Sequence, residues 1–509
     1  MKAVSSVLAM LLAVAAAQDA TPPPTPTGIW HKISYSNHGP NPYDKEKAAP
    51  DSNVVVFPTT QNIPLEPSLA HLRPPQPQIP PVYDIFVGLS VFRDAHRCGY
   101  TVFTGFKRAK NPDRLYFGIV DQVNPEDLRC IDEYCTMAKV EWPEDECKYK
   151  SQIRVDERRA DDSRGPTLAR HYQQKLVGDQ EFCLQLDAHS VFTNDWDVGL
   201  VADWKSVDNE MGILSTYLHN LNDFIKDDGS NNAPHHLPHI CQTMRGGNGL
   251  VRNIGADLIL EPQFPQMTAL WGAGLSFGKC HAEKRVLIDN HNHWVFDGEE
   301  FLRASHLWTH GYDMYSPSRT GSVVYHNYTS VPARFESVQV DQELKKVEEQ
   351  MGINRFKFVV GMPFQGPMDS YELDKYPWGT ARTLQQYLEF SGITFEPGQK
   401  DTHSCKQLHW VPYKDASSVE ALLPGYLMTP RPTPRPTTAK SLAAATVVLD
   451  EVAASTKNKL RLHKKAHHLN GFAMAFVGTV LIGVVVYTND PLWRRARRLF
   501  RARHDDSGR

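Results

Sequence analysis

The sequence has no excess of charge of either sign: 55 Lys and Arg stand against 58 Asp and Glu over 509 residues, a net of -3. Without a basic surface there is no electrostatic case for nucleic acid as a partner. No internal repeat is present, so nothing points to a solenoid or propeller. Long apolar runs are scarce, and only 471–488 is uncharged and long enough to cross a bilayer. Cysteine is limited to eight residues, and Cys130, Cys135 and Cys147 have no fourth ligand at zinc-finger spacing. The dense His/Asp ligand sets of metal-dependent hydrolases are missing as well. The stretch His235-His236-Leu237-Pro238-His239 sits in a polar, loop-like segment, and His291-Asn292-His293 lacks the flanking motif and basic surface of a nuclease.

The ends of the chain carry their own signals. Residues 1–17 combine one Lys, an apolar core from Val7 to Ala16 and the small residues Ala15-Ala16-Ala17, the pattern of a secretory signal peptide. Read instead as an uncleaved anchor, that core is short for spanning. Residues 18–81 are Pro-rich and predict an extended stem with a small element around Val54–Phe57. A compact domain is expected over 82–424, then a second Pro-rich linker and juxtamembrane segment over 425–470. A transmembrane helix at 471–488 and a basic tail at 489–509 complete the chain. Arg494, Arg495, Arg497, Arg498, Arg501 and Arg503 place that tail in the cytoplasm by the positive-inside rule. The domain then faces a lumen, with the Golgi or ER membrane as the expected location. Its even count of cysteines fits disulfides there, in any of 105 pairings, and Asn327-Tyr328-Thr329 is an N-glycan acceptor pattern.

Within the domain, Tyr83–Ser90 and Arg114–Val120 read as strands joined by a helix through Lys107, a βαβ unit with a parallel sheet. Phe182-Cys183-Leu184-Gln185-Leu186 reads as a buried strand ending in Asp187-Ala188-His189. Asp187 and His189 are two apart, so in extended chain they leave the same face and one divalent cation fits between them. A carboxylate and an imidazole at a strand's C-terminal edge suit Mn, or Mg with substrate phosphates completing the shell. An Asp capping a turn beside a packed His is the plainer reading of the same residues. Ser90, Arg93 and Asp94 follow the first strand, and Asp121 with Gln122 the second; these can hold a nucleobase and ribose, or simply shape turns. Arg164 and Arg170 flank a helix start suited to a diphosphate, with Arg164 the better placed. Glu299 and Glu300 open a helix after Asp297-Gly298, where acids also favour the helix dipole. His326 ends a strand near the same edge as a candidate third metal ligand.

These residues sit in seven ordered motifs: IFVGLSVFRD, NPDRLYFGIVDQ, RGPTLAR, FCLQLDAH, WGAGLSF, FDGEEFLRASHLWTHGYDMYSP and VVYHNY. Together they resemble the GlcNAc-transferases related to the enzyme that modifies hydroxyproline and the protozoan polypeptide α-GlcNAc-transferases. The likeness runs from Asp84 to Tyr328 and more weakly through Arg382 to Phe395. It implies an α/β GT-A nucleotide-sugar fold, a mixed, mainly parallel sheet flanked by helices. It also implies UDP-GlcNAc as donor, Mn2+ or Mg2+ held by Asp187, His189 and His326, and retention at the transferred sugar. Asp297, Glu299 and Glu300 would then act on the donor and acceptor side, and Ser90, Arg93, Asp94, Asp121, Arg164 and Trp271 would bind the donor. The hydroxyproline enzyme is cytoplasmic, whereas these termini predict a lumenal domain, so a secretory protein or glycan hydroxyl is the expected acceptor. The alternative is a transferase-like, glycan-binding membrane protein without turnover. Retention of the whole site favours activity.

Overall fold

The segments IFVGLSVF, LYFGIVDQV and FCLQLD are near-continuous apolar runs, the pattern of parallel strands covered on both faces. In the computed structural model, which describes residues 28–37, 49–221, 224–329, 333–334 and 338–429, each becomes a strand. The chain forms β1 (His31–Asn37), β2 (Ala49–Val56), β3 (Ile85–Phe92), β4 (Leu115–Val123), β5 (Ile153–Arg159), β6 (Phe182–Asp187), β7 (Ser190–Phe192) and β8 (Gly212–Thr216). It continues through β9 (His236–His239), β10 (Thr243–Arg245), β11 (Val251–Asn253), β12 (Asp257–Leu260), β13 (Gln266–Thr268), β14 (Leu275–Lys279), β15 (Asp313–Ser316) and β16 (Val324–His326). The main sheet has eight strands in the order β13-β15-β8-β14-β6-β3-β4-β5. β14 runs against β6 and β8, and β13 against β15, while the other pairings are parallel. The expected mixed, mainly parallel sheet is therefore present.

Helices cover this sheet: α1 (Ala95–Arg108) between β3 and β4, α2 (Cys130–Glu141), α3 (Pro166–Gln174), α4 (Trp196–Ser206), α5 (Cys280–Arg285) and α6 (Glu299–Thr309). Gly88 in β3 admits α3 closely, since a Cβ there would lie 2.4 Å from the Gln173 amide. Pro166 opens α3 at its first turn, where a missing N–H is harmless. Helix α7 spans Gln342–Val359 and is capped by the Asp341 side chain. Gly352, normally a helix breaker, is needed inside it because a Cβ would come within 2.5 Å of the His293 carbonyl. α8 (Leu384–Ser391) carries a full capping box from Thr383 and Gln386 and stops at Gly392, whose φ is 77°.

The stem expected over 18–81 is corrected in its described part. β1 and β2 join β12 and β9 in a four-stranded antiparallel sheet, and Ile33 and Val56 bury against Ile259 and the Cys241–Cys405 disulfide. The small element expected around Val54–Phe57 is the end of β2, and proline-rich flanks hid its partner, the alternation at Ile33 and Tyr35. All eight cysteines pair, as Cys98–Cys130, Cys135–Cys147, Cys183–Cys280 and Cys241–Cys405. No helix among the described residues is long and apolar enough to cross a membrane. The signal peptide and the transmembrane helix expected at 471–488 lie outside the described residues.

One buried ion pair ties the C-terminal part of the domain to the sheet. Arg382, fully buried, donates to Asp313 at 2.9 Å and to the Val411 carbonyl at 2.8 Å. Removing one partner strands a buried charge, which costs about 3–5 kcal/mol. Arg382→Ala should therefore lower the urea unfolding free energy by that amount, and a loss below about 1 kcal/mol would mean the pair is solvated.

Candidate active site

The site is built where β6 ends. β6 lies between β3 and β14, buried along its length until Asp187, which emerges half-buried at the C-terminal edge. The chain does not stay extended after Asp187: Ala188 and His189 form a turn. It then re-enters as β7, which pairs antiparallel with β16 so that Ser190 faces His326. The Asn327 amide donates to the His189 carbonyl at 2.9 Å and fixes that register. Asp187, His189 and His326 are thereby brought together, with one ligand atom from each lying within 4.8 Å of the others. The two imidazole rings meet edge to face at 4.5 Å between centroids, and His326 Nε2 is 3.4 Å from Asp187. Burial raises the Asp187 carboxyl, but His326, His189 and Arg170 outweigh it and hold the group below its ordinary value. Burial lowers His189, favouring the neutral ring that can ligate a metal. One carboxylate oxygen and two imidazole nitrogens at an open cleft fit a divalent cation of the Mn2+ type.

Opposite these three, Gly298 takes φ 108° and starts α6, so that Glu299 and Glu300 occupy its first turn. Glu299 accepts a hydrogen bond from Arg170, which also reaches to 3.6 Å from Asp187. Arg170 is thus a buried cation between the acidic ligand and the acidic helix start. Glu300 accepts from the Tyr217 hydroxyl at 2.6 Å and from the Ala273 amide at 3.0 Å. Burial raises both carboxyls, and it pushes Glu300 up to about 7. Asp297 lies 3.6 Å from Arg252. Together with Asp187 and His326, these residues line one cleft of about 360 Å³, which Asn253, Phe296 and Tyr328 also border.

The other expected donor residues are placed differently. Ser90 stands beside Asp187 in register, its hydroxyl donating to Gln173 at 2.8 Å. Asp94 is buried against Arg97 at 2.7 Å and lies 3.8 Å from His189, beside the three candidate metal ligands. Arg93 turns to Asp127, with two bonds at 2.6 and 2.8 Å. Asp121 is fully buried, accepts from the Cys130 amide at 2.9 Å and caps α2, so it offers no open face to a ligand. Arg164 pairs with Glu348 at 2.8 Å and does not border the cleft; the guanidinium that does is Arg170. Trp271 lies in the core at 1% exposure with its indole N–H on Ser276 at 2.9 Å. Tyr217, just after β8, and Arg252 and Asn253, inside the three-residue β11, went unrecognised in the sequence because no motif surrounds them. Arg170 carried one signal, its position one helical turn into α3.

Residues 84–145 and 132–397 match the sequence model of the family described as Glycosyltransferase (GlcNAc), and the chain belongs to that family. No curated protein matches it. Among solved structures, GalNAc-T7 with UDP, GalNAc and Mn2+ is similar at 16% identity and TM-score 0.38, covering 68% of this chain and 59% of that one. The chain thus spans well under two thirds of that relative's length. The mannosyltransferase PcManGT from Pyrobaculum calidifontis, in complex with GDP-Man and Mn2+, is similar at 12% identity and TM-score 0.32, covering 58% of this chain and 69% of that one. S. aureus TarS 1-349 in complex with UDP-GlcNAc is similar at 10% and 0.31, covering 54% and 72%. That family is described as one of glycosyltransferases.

The raised Glu300 carboxyl has a sign that can be checked. Its folded-state value lies above the ordinary 4.5, so its contribution to stability is complete below that range and is lost as pH rises through about 7. Glu300→Gln should therefore flatten the fall in unfolding temperature between about pH 5 and about pH 8. An unchanged slope would place this carboxyl in solvent.

Proposed function

We propose that this glycosyltransferase transfers GlcNAc from UDP-GlcNAc, with retention, to a hydroxyl of a protein or glycan acceptor in the secretory pathway. The observation that carries the reading is the convergence of Asp187, His189 and His326 at one end of a cleft whose other wall holds Glu299 and Glu300. The donor set suits Mn2+, with Mg2+ the alternative where phosphate oxygens fill the shell. When bound, the ion supplies charge to the diphosphate as UDP leaves.

The chain's own residues do the rest. Asp187, His189 and His326 hold the ion, and Arg170, bonded to Glu299 and 3.6 Å from Asp187, offsets the repulsion between the two acids. Glu300, held near neutrality by burial, is the group best matched to accept a proton from an acceptor hydroxyl. Asp297, beside Arg252 at the more open part of the cleft, serves the acceptor side. Ser90 and Asp94 brace the metal ligands from behind. Four disulfides support an oxidising compartment, and with the terminal signals they favour a lumenal domain in the ER or Golgi, anchored through 471–488.

Asp187→Ala removes a metal ligand while Arg170 keeps Glu299 as its partner, so the protein should stay folded. UDP release from full-length protein, measured with UDP-GlcNAc, UDP-GalNAc, UDP-Glc and UDP-Gal in Mn2+ or in chelator, should be metal-dependent, strongest with UDP-GlcNAc, and abolished in this variant. Full activity of Asp187→Ala at an unchanged unfolding temperature would refute the metal assignment. Release from no donor would refute the transferase reading.

A further inference from the structure

β7 and β16 form a two-stranded ribbon, and no strand among the described residues pairs with the other edge of β7. A bare edge inside the fold would leave N–H and C=O groups without partners. Helix α1 supplies them. Arg97, Thr101, Thr104 and Arg108 are spaced four, three and four residues apart, so they form one stripe along α1. Each bonds to the backbone of β7 or of the chain leaving β16. At the far end of the stripe, the Phe192 amide donates to Thr104 at 3.4 Å and Arg108 donates to the Phe192 carbonyl at 2.7 Å.

The other two members act next to the metal ligands. The Thr101 hydroxyl, fully buried, accepts from the Ser190 amide at 3.0 Å and lies 3.0 Å from the Ala188 carbonyl and 2.8 Å from the Ser190 carbonyl. A hydroxyl has one proton and two lone pairs, so it can accept from that amide and still donate to a carbonyl. These bonds fall on the residues immediately before and after His189. Arg97 donates to the Asn327 carbonyl at 3.2 Å and the Thr329 carbonyl at 3.1 Å, and through Nε to Asp94 at 2.7 Å. It therefore grips the chain directly after His326. Neither Thr101 nor Arg97 lines the cleft.

We infer that Thr101 and Arg97 are positioning residues for the metal centre: Thr101 sets the turn that aims His189, and Arg97 holds the exit from β16 that aims His326. The inference rests on the metal site proposed above, and neither residue is itself a ligand. His189 is presented by a turn rather than a strand, so its direction depends on what holds the backbone on either side. Without the Thr101 hydroxyl, the buried Ser190 amide loses its acceptor, and the turn must move to find another.

Titration of the full-length protein with Mn2+, read from the electron paramagnetic resonance signal of the free ion, tests this without relying on turnover. Thr101→Val has nearly the same shape but lacks the hydroxyl, and it should bind Mn2+ about tenfold more weakly. Thr101→Ser, which keeps the hydroxyl, should bind as the wild-type protein does. Arg97→Lys keeps a positive charge beside Asp94 but has no planar fork to span both carbonyls, so it too should bind more weakly. Thr104→Val, whose lost hydroxyl meets β7 only at Phe192, should leave the affinity unchanged. Wild-type affinity in folded Thr101→Val, or an equal loss in Thr104→Val, would overturn the inference while leaving the metal site in place. If Thr101→Val does not fold, Arg97→Lys decides, and wild-type affinity there would overturn it. No Mn2+ binding by the wild-type protein would refute the metal site itself, and this inference with it.

Discussion

A single buried guanidinium holds the site together. Arg170 lies between Asp187 at the end of β6 and Glu299 at the start of α6, two acids that arrive from distant parts of the chain. Burying either acid alone would drive it toward the protonated form. His326, His189 and Arg170 together hold Asp187 below its ordinary value, and Arg170 lets α6 be seated against the sheet edge with two acids in its first turn. The cost of burying a cation is offset only because it has two acidic partners. That explains why the paired arginine sits inside α3 and why the more exposed Arg164 could not take its place.

The second constraint is topological. His326 reaches Asp187 and His189 only because β7 and β16 pair in one register, with the Asn327 amide on the His189 carbonyl. A shift of one residue would turn His326 to the other face of the ribbon. The four disulfides and the buried Arg382–Asp313 pair hold the surrounding layers, including the N-terminal strands, to the same body. Rigidity around the cleft thus comes from cross-links and buried charge as much as from apolar packing.

The extent to which this was legible in the sequence follows from the range of each interaction. The strands of the parallel half and the helices between them were readable because the apolar runs and helix caps that define them are local. Asp187 and His189 were readable as a pair, but for the wrong reason: a turn, not an extended strand, brings them together. Glu299 and Glu300 were visible at one helix start and Arg170 at another, whereas the pairing of Arg170 with Glu299 and the partners Tyr217 and Ala273 were not. Those contacts bridge long sequence separations and leave no periodic trace. Asp121 looked like an edge residue because its strand's end was placed early; in the structure β4 continues to Val123 and carries it inside. The end of β2 was legible as a small element around Val54–Phe57, whereas the strand at His31–Asn37 was obscured by proline around it and is held by pairing with β2 and β12.

The central claim is that Asp187, His189 and His326 hold one divalent cation for a nucleotide diphosphate. Crystals of the protein grown with Mn2+ and UDP, measured at a wavelength where manganese scatters anomalously, test it most directly. The account predicts one anomalous peak bonded to an atom from each of the three residues, with diphosphate oxygens on its open side. A peak elsewhere, or UDP bound in the cleft with no peak at these residues, would contradict it.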